Sequence, residues 1–187
     1  MNFPNTPATA SNANDPISPE IFWGKFYTAL RLNWNPEVDV FWFKDLTKRT
    51  KFMTDVLKKL APAFNCHCDC EYWPRVDVSY FDRATGTEWM EWSREAAIEL
   101  ENGDSWTNEV CKLMEINAGI KILIAYVDNQ KKLDDFWPRL TTIYASRKYV
   151  TKPCSWLFIF RIYRENNWNF VAFKFDGATQ TEITGNV

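Results

Sequence analysis

The sequence predicts an α/β fold in which helices flank a mixed central sheet, and three patterns support this prediction. Apolar residues recur at helical spacing in 45–63, alternate with polar residues in 66–83, and run almost without interruption through Ile120–Val127. These patterns are typical of an amphipathic helix, of half-buried strands and of a strand buried on both faces, respectively. The predicted order of elements is α-β-β-β-α-β-α-β-β.

The first half of the chain supplies the opening helices and three strands. Residues 1–18 are rich in Asn, Pro, Thr, Ala and Ser and are predicted to form a disordered tail, which leaves 19–187 as a single domain. Pro19–Asn33 is predicted to be a helix capped by Ser18, and 33–40 to be a link. Next come a helix over 45–63, with Arg49 and the lysines outside its apolar stripe, and strands over 66–73, 75–83 and 95–101.

The second half continues with a helix over 106–119 and the apolar run Ile120–Val127. A strand buried on both faces is typical of a parallel sheet, so this run is predicted to lie parallel to the third strand, with the helix crossing between them. A further helix over 131–149 precedes a closing hairpin of strands over 156–163 and 168–175.

Length and composition indicate one well-packed protein domain. A chain of 187 residues is short for two domains, and 17% aromatic residues, ten of them Trp, predict a core rich in rings. The five Cys, with no secretory signal pattern and no apolar run of the roughly 18 residues that a span needs, predict a cytoplasmic protein with reduced thiols and no membrane association.

The charge is nearly balanced overall but unevenly distributed. The net charge of −2 excludes the strongly basic class of nucleic-acid binder. However, residues 82–115 hold nine acids and three bases, whereas 139–164 hold six bases and no acid. An acidic centre beside a basic flank suits a metal site next to a phosphate track, and the alternative is that both clusters are solvated faces.

The acids of the second and third strands are the strongest candidates for a site. Because strand residues alternate between faces, Val76 and Val78 are predicted to face one side and Asp77 the other, and Glu99 and Glu101 to share a side. If the strands pair, three carboxylates gather and repel unless a proton or cation neutralises them. Oxygen ligands favour Mg²⁺, Mn²⁺ or Ca²⁺. The alternative is that these acids contact solvent or basic side chains.

The order of Asp77, about twenty residues, Glu99-x-Glu101, a helix and an apolar strand resembles the PD-(D/E)XK nuclease superfamily, which has the restriction-endonuclease-like fold. Asp77 matches the first acid of that motif and Glu99 the second, whereas Glu101 stands where most members carry lysine. The resemblance covers roughly residues 40–165 and depends more on the order of elements than on the short motifs.

The resemblance implies metal-dependent hydrolysis of phosphodiester bonds in DNA, with Mg²⁺ or Mn²⁺ as the cofactor. It assigns metal ligation to Asp77, Glu99 and the carbonyl of Leu100, and a ligand or water-orienting role to Glu101. The alternative is a catalytically inactive relative that acts as a nucleic-acid-binding or protein-interaction subunit. Whether the chain forms a homodimer is left open.

Lys112, on the helix after the third strand, is the candidate for the missing lysine of the motif. The alternative is a surface ion pair with Glu109 or Glu115, both three positions away. Trp89 and Trp92 are candidate exposed rings for bases or a partner protein. Phosphate contacts are predicted at Arg147, Lys148, Lys152 and Arg161.

The run Cys66-His67-Cys68-Asp69-Cys70 suggests a zinc site. However, its alternate spacing puts three thiols along one strand face, which rarely converges on one tetrahedral ion. Buried thiols on the inner face of a strand are the preferred interpretation.

Overall fold

The computed structural model describes residues 16–42, 44–72, 76–82, 93–101, 106–146, 155–164 and 167–184. They form a seven-stranded mixed sheet flanked by helices, which confirms the predicted α/β class with a mixed sheet. The helices are α1 (Pro19–Asn33), α2 (Pro36–Trp42), α3 (Leu46–Leu60), α4 (Trp106–Glu115) and α5 (Gln130–Ser146), with a 3₁₀ turn over Ala61–Phe64. The strands are β1 (Cys66–Tyr72), β2 (Val76–Asp82), β3 (Arg94–Glu101), β4 (Ile120–Val127), β5 (Ser155–Arg164), β6 (Asn167–Phe175) and β7 (Gln180–Glu182). Within these residues, no helix is both long enough and apolar enough to cross a membrane.

The strands follow one another across the sheet in chain order, from β1 to β7. The central strands β3, β4 and β5 are parallel, and the remaining neighbours are antiparallel. The prediction that Ile120–Val127 lies parallel to the third strand is confirmed, since β4 pairs on one side with β3 and on the other with β5. α4 connects β3 to β4, and α5 connects β4 to β5.

Each face of the sheet carries its own hydrophobic core. The face that packs against α1, α2 and α3, here the first face, buries Ile98, Ile122 and Ile159. The face that packs against α4 and α5, here the second face, buries Leu123 and Phe158. Because neighbouring residues of a strand point to opposite faces, the two cores place Glu99 of β3 on the second face and Arg161 of β5 on the first.

The first helix begins as predicted. The Ser18 side chain accepts a hydrogen bond from the backbone N–H of Ile21 at 3.2 Å, with Pro19 at the first helical position. The packed region starts slightly earlier than the predicted domain, because Ile17 is buried in the first-face core. Residues 1–15 of the predicted tail lie outside the described residues.

Three details differ from the sequence-based expectations. The predicted link over 33–40 is wrong, because it contains most of α2, whose N-terminus is capped by the Asn35 side chain and whose Val38 and Trp42 are buried. The three-residue strand β7 adds a seventh strand that was not predicted. Val76 is buried in the second-face core, whereas Val78 lies in the first-face core, so the two valines do not share a side as predicted.

Tyr80 joins the sheet to α3 on the first face. Its side chain is fully buried, and its hydroxyl donates to the backbone carbonyl of Leu57 at 2.6 Å. The ring packs against Phe22 of α1 and Phe64, which links the helical layer to β2. This contact helps to hold β2, the strand that carries Asp77, in place beneath the helices.

We expect Tyr80→Phe to lower the free energy of unfolding by about 1 kcal/mol, because it removes one buried hydrogen bond and keeps the ring. Urea unfolding monitored by circular dichroism measures the change. Tyr163→Phe is the matched control, since Tyr163 is 45% exposed, and its effect should stay within about 0.5 kcal/mol. Equal effects of the two substitutions would contradict the role given to Tyr80.

Candidate metal and catalytic site

The pairing of β2 with β3 brings two of the predicted acids together. The register pairs Val78 with Ile98 and Ser79 with Ala97, and it therefore places Asp77 opposite Glu99. The backbone N–H of Leu100 donates to Asp77 Oδ2 at 2.7 Å, which fixes the orientation of the Asp77 carboxylate. Leu100 thus enters the site through its N–H, and metal ligation by its carbonyl stays a prediction.

Glu99 lies on the second face beneath α4, with only 1% of its side chain exposed. Lys112 of α4 reaches it, and the Lys112 Nζ lies 3.0 Å from Glu99 Oε1. The same ammonium group also contacts Glu109 Oε2 on the preceding turn of α4. Val110 and Leu113 anchor the helix in the second-face core, so that Lys112 is held over β3. The structure therefore brings together Asp77, Glu99 and Lys112.

Burial controls the ionisation of this cluster. Loss of solvation and the nearby Asp77 carboxylate, which the Lys112 ammonium only partly opposes, together raise the pKa of Glu99 to about 9. Burial alone would lower the pKa of Lys112, but its contacts with Glu109 and Glu99 outweigh this and raise the pKa above its ordinary value. Without a further cation, Glu99 therefore holds a proton at neutral pH while Lys112 stays charged.

The Asp77–Glu99 pair has the donor chemistry of a hard-cation site. Glu99 Oε2 is buried, and among the described residues no donor makes a hydrogen bond to it. The Asp77 carboxyl group lies within hydrogen-bonding reach of Glu99, so the pair can share either a proton or a metal ion. Two carboxylates leave most positions of a Mg²⁺ or Mn²⁺ ion to water, which suits a catalytic rather than a structural site. Within the described part of the chain, no three His, Cys, Asp or Glu side chains are grouped as a metal site.

Glu101 takes a different position from Glu99. It stands at the end of β3 and lines a small cavity with Arg49 of α3 and Tyr126 of β4. Its charge stabilises the Arg49 guanidinium, whose pKa is nevertheless lowered by burial. The role predicted for Glu101, as a ligand or water-orienting group, is therefore less well supported by its position than those of Asp77 and Glu99.

Arg49 is a residue that the sequence-based reasoning misplaced. It was predicted outside the apolar stripe of its helix, but it is only 4% exposed, and its guanidinium lies 5.8 Å from the ring centre of Trp42 and 5.4 Å from that of Tyr126. The signal was present in the spacing, because Arg49 stands four and seven positions before Met53 and Val56, on the buried side of α3.

The predicted nucleic-acid contacts are only partly described. Arg147, Lys148 and Lys152 lie outside the described residues, as do Trp89 and Trp92. Arg161 is described and is only 5% exposed. Its guanidinium lies over the rings of Trp42 and Trp34, at 4.6 and 4.8 Å, on the face of the sheet opposite Glu99.

The thiols of β1 have the environment expected of buried cysteines. Cys66 is buried in the first-face core, and Cys68 and Cys70 pack against it. Burial raises the pKa of Cys68 to about 12, which keeps this thiol protonated and disfavours metal ligation. These observations favour structural thiols over the zinc alternative.

No protein-family model matches the sequence, and searches of curated proteins and of solved structures gave no match either. The interpretation of the site therefore depends on its geometry and on the motif order of the sequence.

We expect the wild-type protein, in the presence of a chelator, to lose stability as the pH rises from 4.5 to about 9. Over this interval the folded state retains a proton on Glu99 that the unfolded state has released, so the free energy of unfolding falls by up to about 1.4 kcal/mol per pH unit. Glu99→Gln removes the titrating group and should reduce this slope. Urea unfolding across the interval measures both slopes.

The exposed Glu37 supplies the matched control for this experiment. Glu37→Gln makes the same chemical change at a surface position and should leave the pH dependence of wild type unaltered. If Glu99→Gln and Glu37→Gln give the same slope, Glu99 does not carry the proton assigned to it.

Proposed function

We propose that the protein is a metal-dependent nuclease of the PD-(D/E)XK type, which hydrolyses phosphodiester bonds in DNA. The observation that supports this proposal is the convergence of Asp77, Glu99 and Lys112 from β2, β3 and α4. Two carboxylates and one lysine are the chemical groups of the motif that the sequence resembles. Here the lysine comes from α4 instead of the position that Glu101 occupies.

Each member of the cluster has a role that its surroundings support. Asp77, oriented by the Leu100 N–H, and Glu99 would hold Mg²⁺ or Mn²⁺. The ion, when bound, supplies charge stabilisation at the phosphodiester and an activated water. Lys112 is 33% exposed and is held in position by Glu109, so its ammonium can move from Glu99 to a phosphate oxygen or to the attacking water while staying on the same helix.

A cleft on the same face offers room for a nucleic-acid strand. It has a volume of about 310 Å³ and lies between the ends of β4 and β5 and the N-terminal half of α5. Lys132 and Arg139 line it together with Asp135, and Lys132 is paired with Asp128. Trp106, the first residue of α4, supplies an aromatic surface. Basic groups and a ring beside an acidic cluster favour phosphate contacts with base stacking.

The alternative function is a catalytically inactive relative that binds nucleic acid or a partner protein. The observation that favours it is the burial of Glu99, which is 1% exposed and is already paired with Lys112. A proton and a lysine can together neutralise the Asp77–Glu99 pair without any metal ion. In this alternative the cluster stabilises the fold and has no reaction to perform.

We expect Mn²⁺ to bind the wild-type protein and to bind Asp77→Asn at least about tenfold more weakly. The substitution removes the charge and keeps an acceptor for the Leu100 N–H, so the fold is preserved. Isothermal titration calorimetry measures both affinities. Asp55→Asn, at an exposed position of α3, is the control and should bind like wild type. Absence of Mn²⁺ binding to wild type would contradict the metal site.

Lys112→Gln separates catalysis from metal binding. We expect it to retain Mn²⁺ affinity and to slow cleavage of plasmid DNA by a factor of about 10² or more, because the lysine acts on charge that develops in the transition state. Lys51→Gln, at a position that is 75% exposed on α3, is the control and should cleave like wild type. Agarose gels of supercoiled plasmid follow the reaction. Intact plasmid with a wild-type protein that binds Mn²⁺ would favour the inactive alternative.

A further inference from the structure

The cleft between the ends of β4 and β5 and α5 has an apolar and aromatic interior. Ala125, Phe136 and Phe160 line it, and all three are buried in the second-face core. Trp106 is half-buried beside them, with its ring centre 4.1 Å from that of Phe136. Such an interior favours a ligand that presents a flat, uncharged surface.

The rim of the cleft carries charges of both signs. Lys132, Asp135 and Arg139 are exposed and follow one another along α5 at the three- and four-residue spacing of one helix face. Lys132 is also paired with Asp128. Besides contacts to phosphate, the rim therefore offers both hydrogen-bond donors and acceptors, as the edge of a nucleobase does.

The volume of the cleft limits the size of its ligand. About 310 Å³ lies at the lower end of the range of roughly 300–1,000 Å³ that is typical of small-molecule sites. One ring system fits in this space, whereas a base that stays paired and stacked within a duplex cannot enter it. A nucleobase must therefore be unpaired to reach the ring of Trp106.

The cleft lies on the same face of the sheet as the candidate metal site and close to it. Leu123 of β4 pairs with Glu99, and Ala125 follows two residues later, about 7 Å along the strand. Trp106 and Lys112 are six residues apart on α4, about 9 Å along the helix axis. At about 3.4 Å per nucleotide, both distances correspond to two or three stacked nucleotides. A strand with one base in the cleft can thus place a nearby phosphodiester at the metal site.

We propose that the cleft holds one unpaired base of a DNA strand against the ring of Trp106, and that the protein acts on single-stranded DNA or on unpaired regions. The identity of the ligand as DNA rests on the proposed nuclease function, and the cleft adds the form of the substrate. Stacking on a ring accepts any base, since every base has a flat face. Asp135 and Arg139 contact the edge of the base.

Fluorescence anisotropy of labelled oligodeoxynucleotides, in the presence of a chelator, measures binding without cleavage. The ligands are a short single strand, a blunt duplex of the same length, and the same single strand with abasic sites in place of its bases. We expect the intact single strand to bind at least about tenfold more tightly than the other two. The abasic strand retains the phosphates, so it isolates the contribution of the bases.

A substitution of Trp106 connects the binding to the cleft. Trp106→Leu keeps an apolar contact with Phe136 but removes the ring face, and a thermal melt verifies its folding. It should weaken the single strand by about fivefold or more, the loss expected for one base–ring stack, and leave the abasic strand unaffected. Tyr163→Leu removes a ring that is 45% exposed on the other face of β5 from Phe160, and it should bind like wild type.

A second substitution tests the rim without altering the core. Arg139 is exposed, so Arg139→Gln should fold normally. Loss of any basic side chain weakens the general attraction to phosphates, and Lys51→Gln, on α3 outside the cleft, measures the size of that effect. We expect Arg139→Gln to weaken the intact single strand more than Lys51→Gln does, and the two variants to affect the abasic strand equally.

Three results would overturn the proposal. They are equal affinity for the single strand and the duplex, a folded Trp106→Leu variant that binds the single strand like wild type, and equal weakening by Arg139→Gln and Lys51→Gln. Failure of the nuclease function gives a different result. If the wild-type protein binds the single strand through Trp106 but leaves it intact with Mn²⁺, the cleft retains its role and only the reaction is lost.

Discussion

The candidate site depends on one constraint, which is the burial of the Glu99 carboxyl group between β3 and α4. A carboxylate that is 1% exposed must be neutralised by close partners, because the protein interior solvates it poorly. One feature of the fold places a second carboxylate beside Glu99 and so adds to this requirement, and another places a lysine there that partly meets it. The antiparallel register of β2 and β3 places Asp77 opposite it, and the crossover through α4 places Lys112 above it. A shift of one residue in the register of β2 against β3 would separate Asp77 from Glu99.

The two faces of the sheet carry separate clusters of charged side chains. Glu99 and Lys112 lie on the second face, whereas the buried Arg49 and Arg161 lie on the first. Both groups are enclosed by apolar or aromatic side chains, so their fields are screened less by salt than those of surface charges. The net charge of −2 contains no information about this arrangement, because it sums groups that the sheet keeps apart. Local charge at each face, rather than the total, determines which ligands the protein can attract.

The sequence predicted those parts of the fold that a strong local pattern encodes. The continuous apolar run Ile120–Val127 identified the parallel centre of the sheet, and Ser18 with Pro19 identified the start of α1. The helix α2 was missed because it has seven residues, which is too few to establish a helical period, and its stability comes from the Asn35 cap and the burial of Val38 and Trp42. The strand β7 was missed because its three residues are largely exposed and show no alternation.

The site was predictable where neighbouring strands and the helix that follows them carry its residues. Alternation along β3 placed Glu99 correctly, and the candidate lysine Lys112 does reach it. The environment of Arg161 was not predictable, because two of the rings that enclose it, Trp34 and Trp42, lie more than 100 residues before it in the chain. A run of bases in a sequence indicates positive charge, but burial is decided by the packing of distant elements. The sequence therefore predicted a basic flank without distinguishing a surface track from an enclosed guanidinium.

The proposed nuclease and its inactive alternative share the same arrangement of Asp77, Glu99 and Lys112. They differ in whether the proton on Glu99 can be exchanged for a metal ion. A proton on Glu99 satisfies the electrostatic requirement of the Asp77–Glu99 pair as fully as a divalent ion does. In an enzyme the proton must leave when the metal ion binds, so metal affinity must rise with pH. Lys112 must also move from Glu99 without leaving the site, and its second contact, with Glu109, provides the anchor for that movement. The contact of Lys112 with Glu109 is also the i, i+3 ion pair that a surface lysine of a helix makes, so exchange of the proton on Glu99 for a metal ion is what distinguishes the proposed nuclease from the inactive alternative.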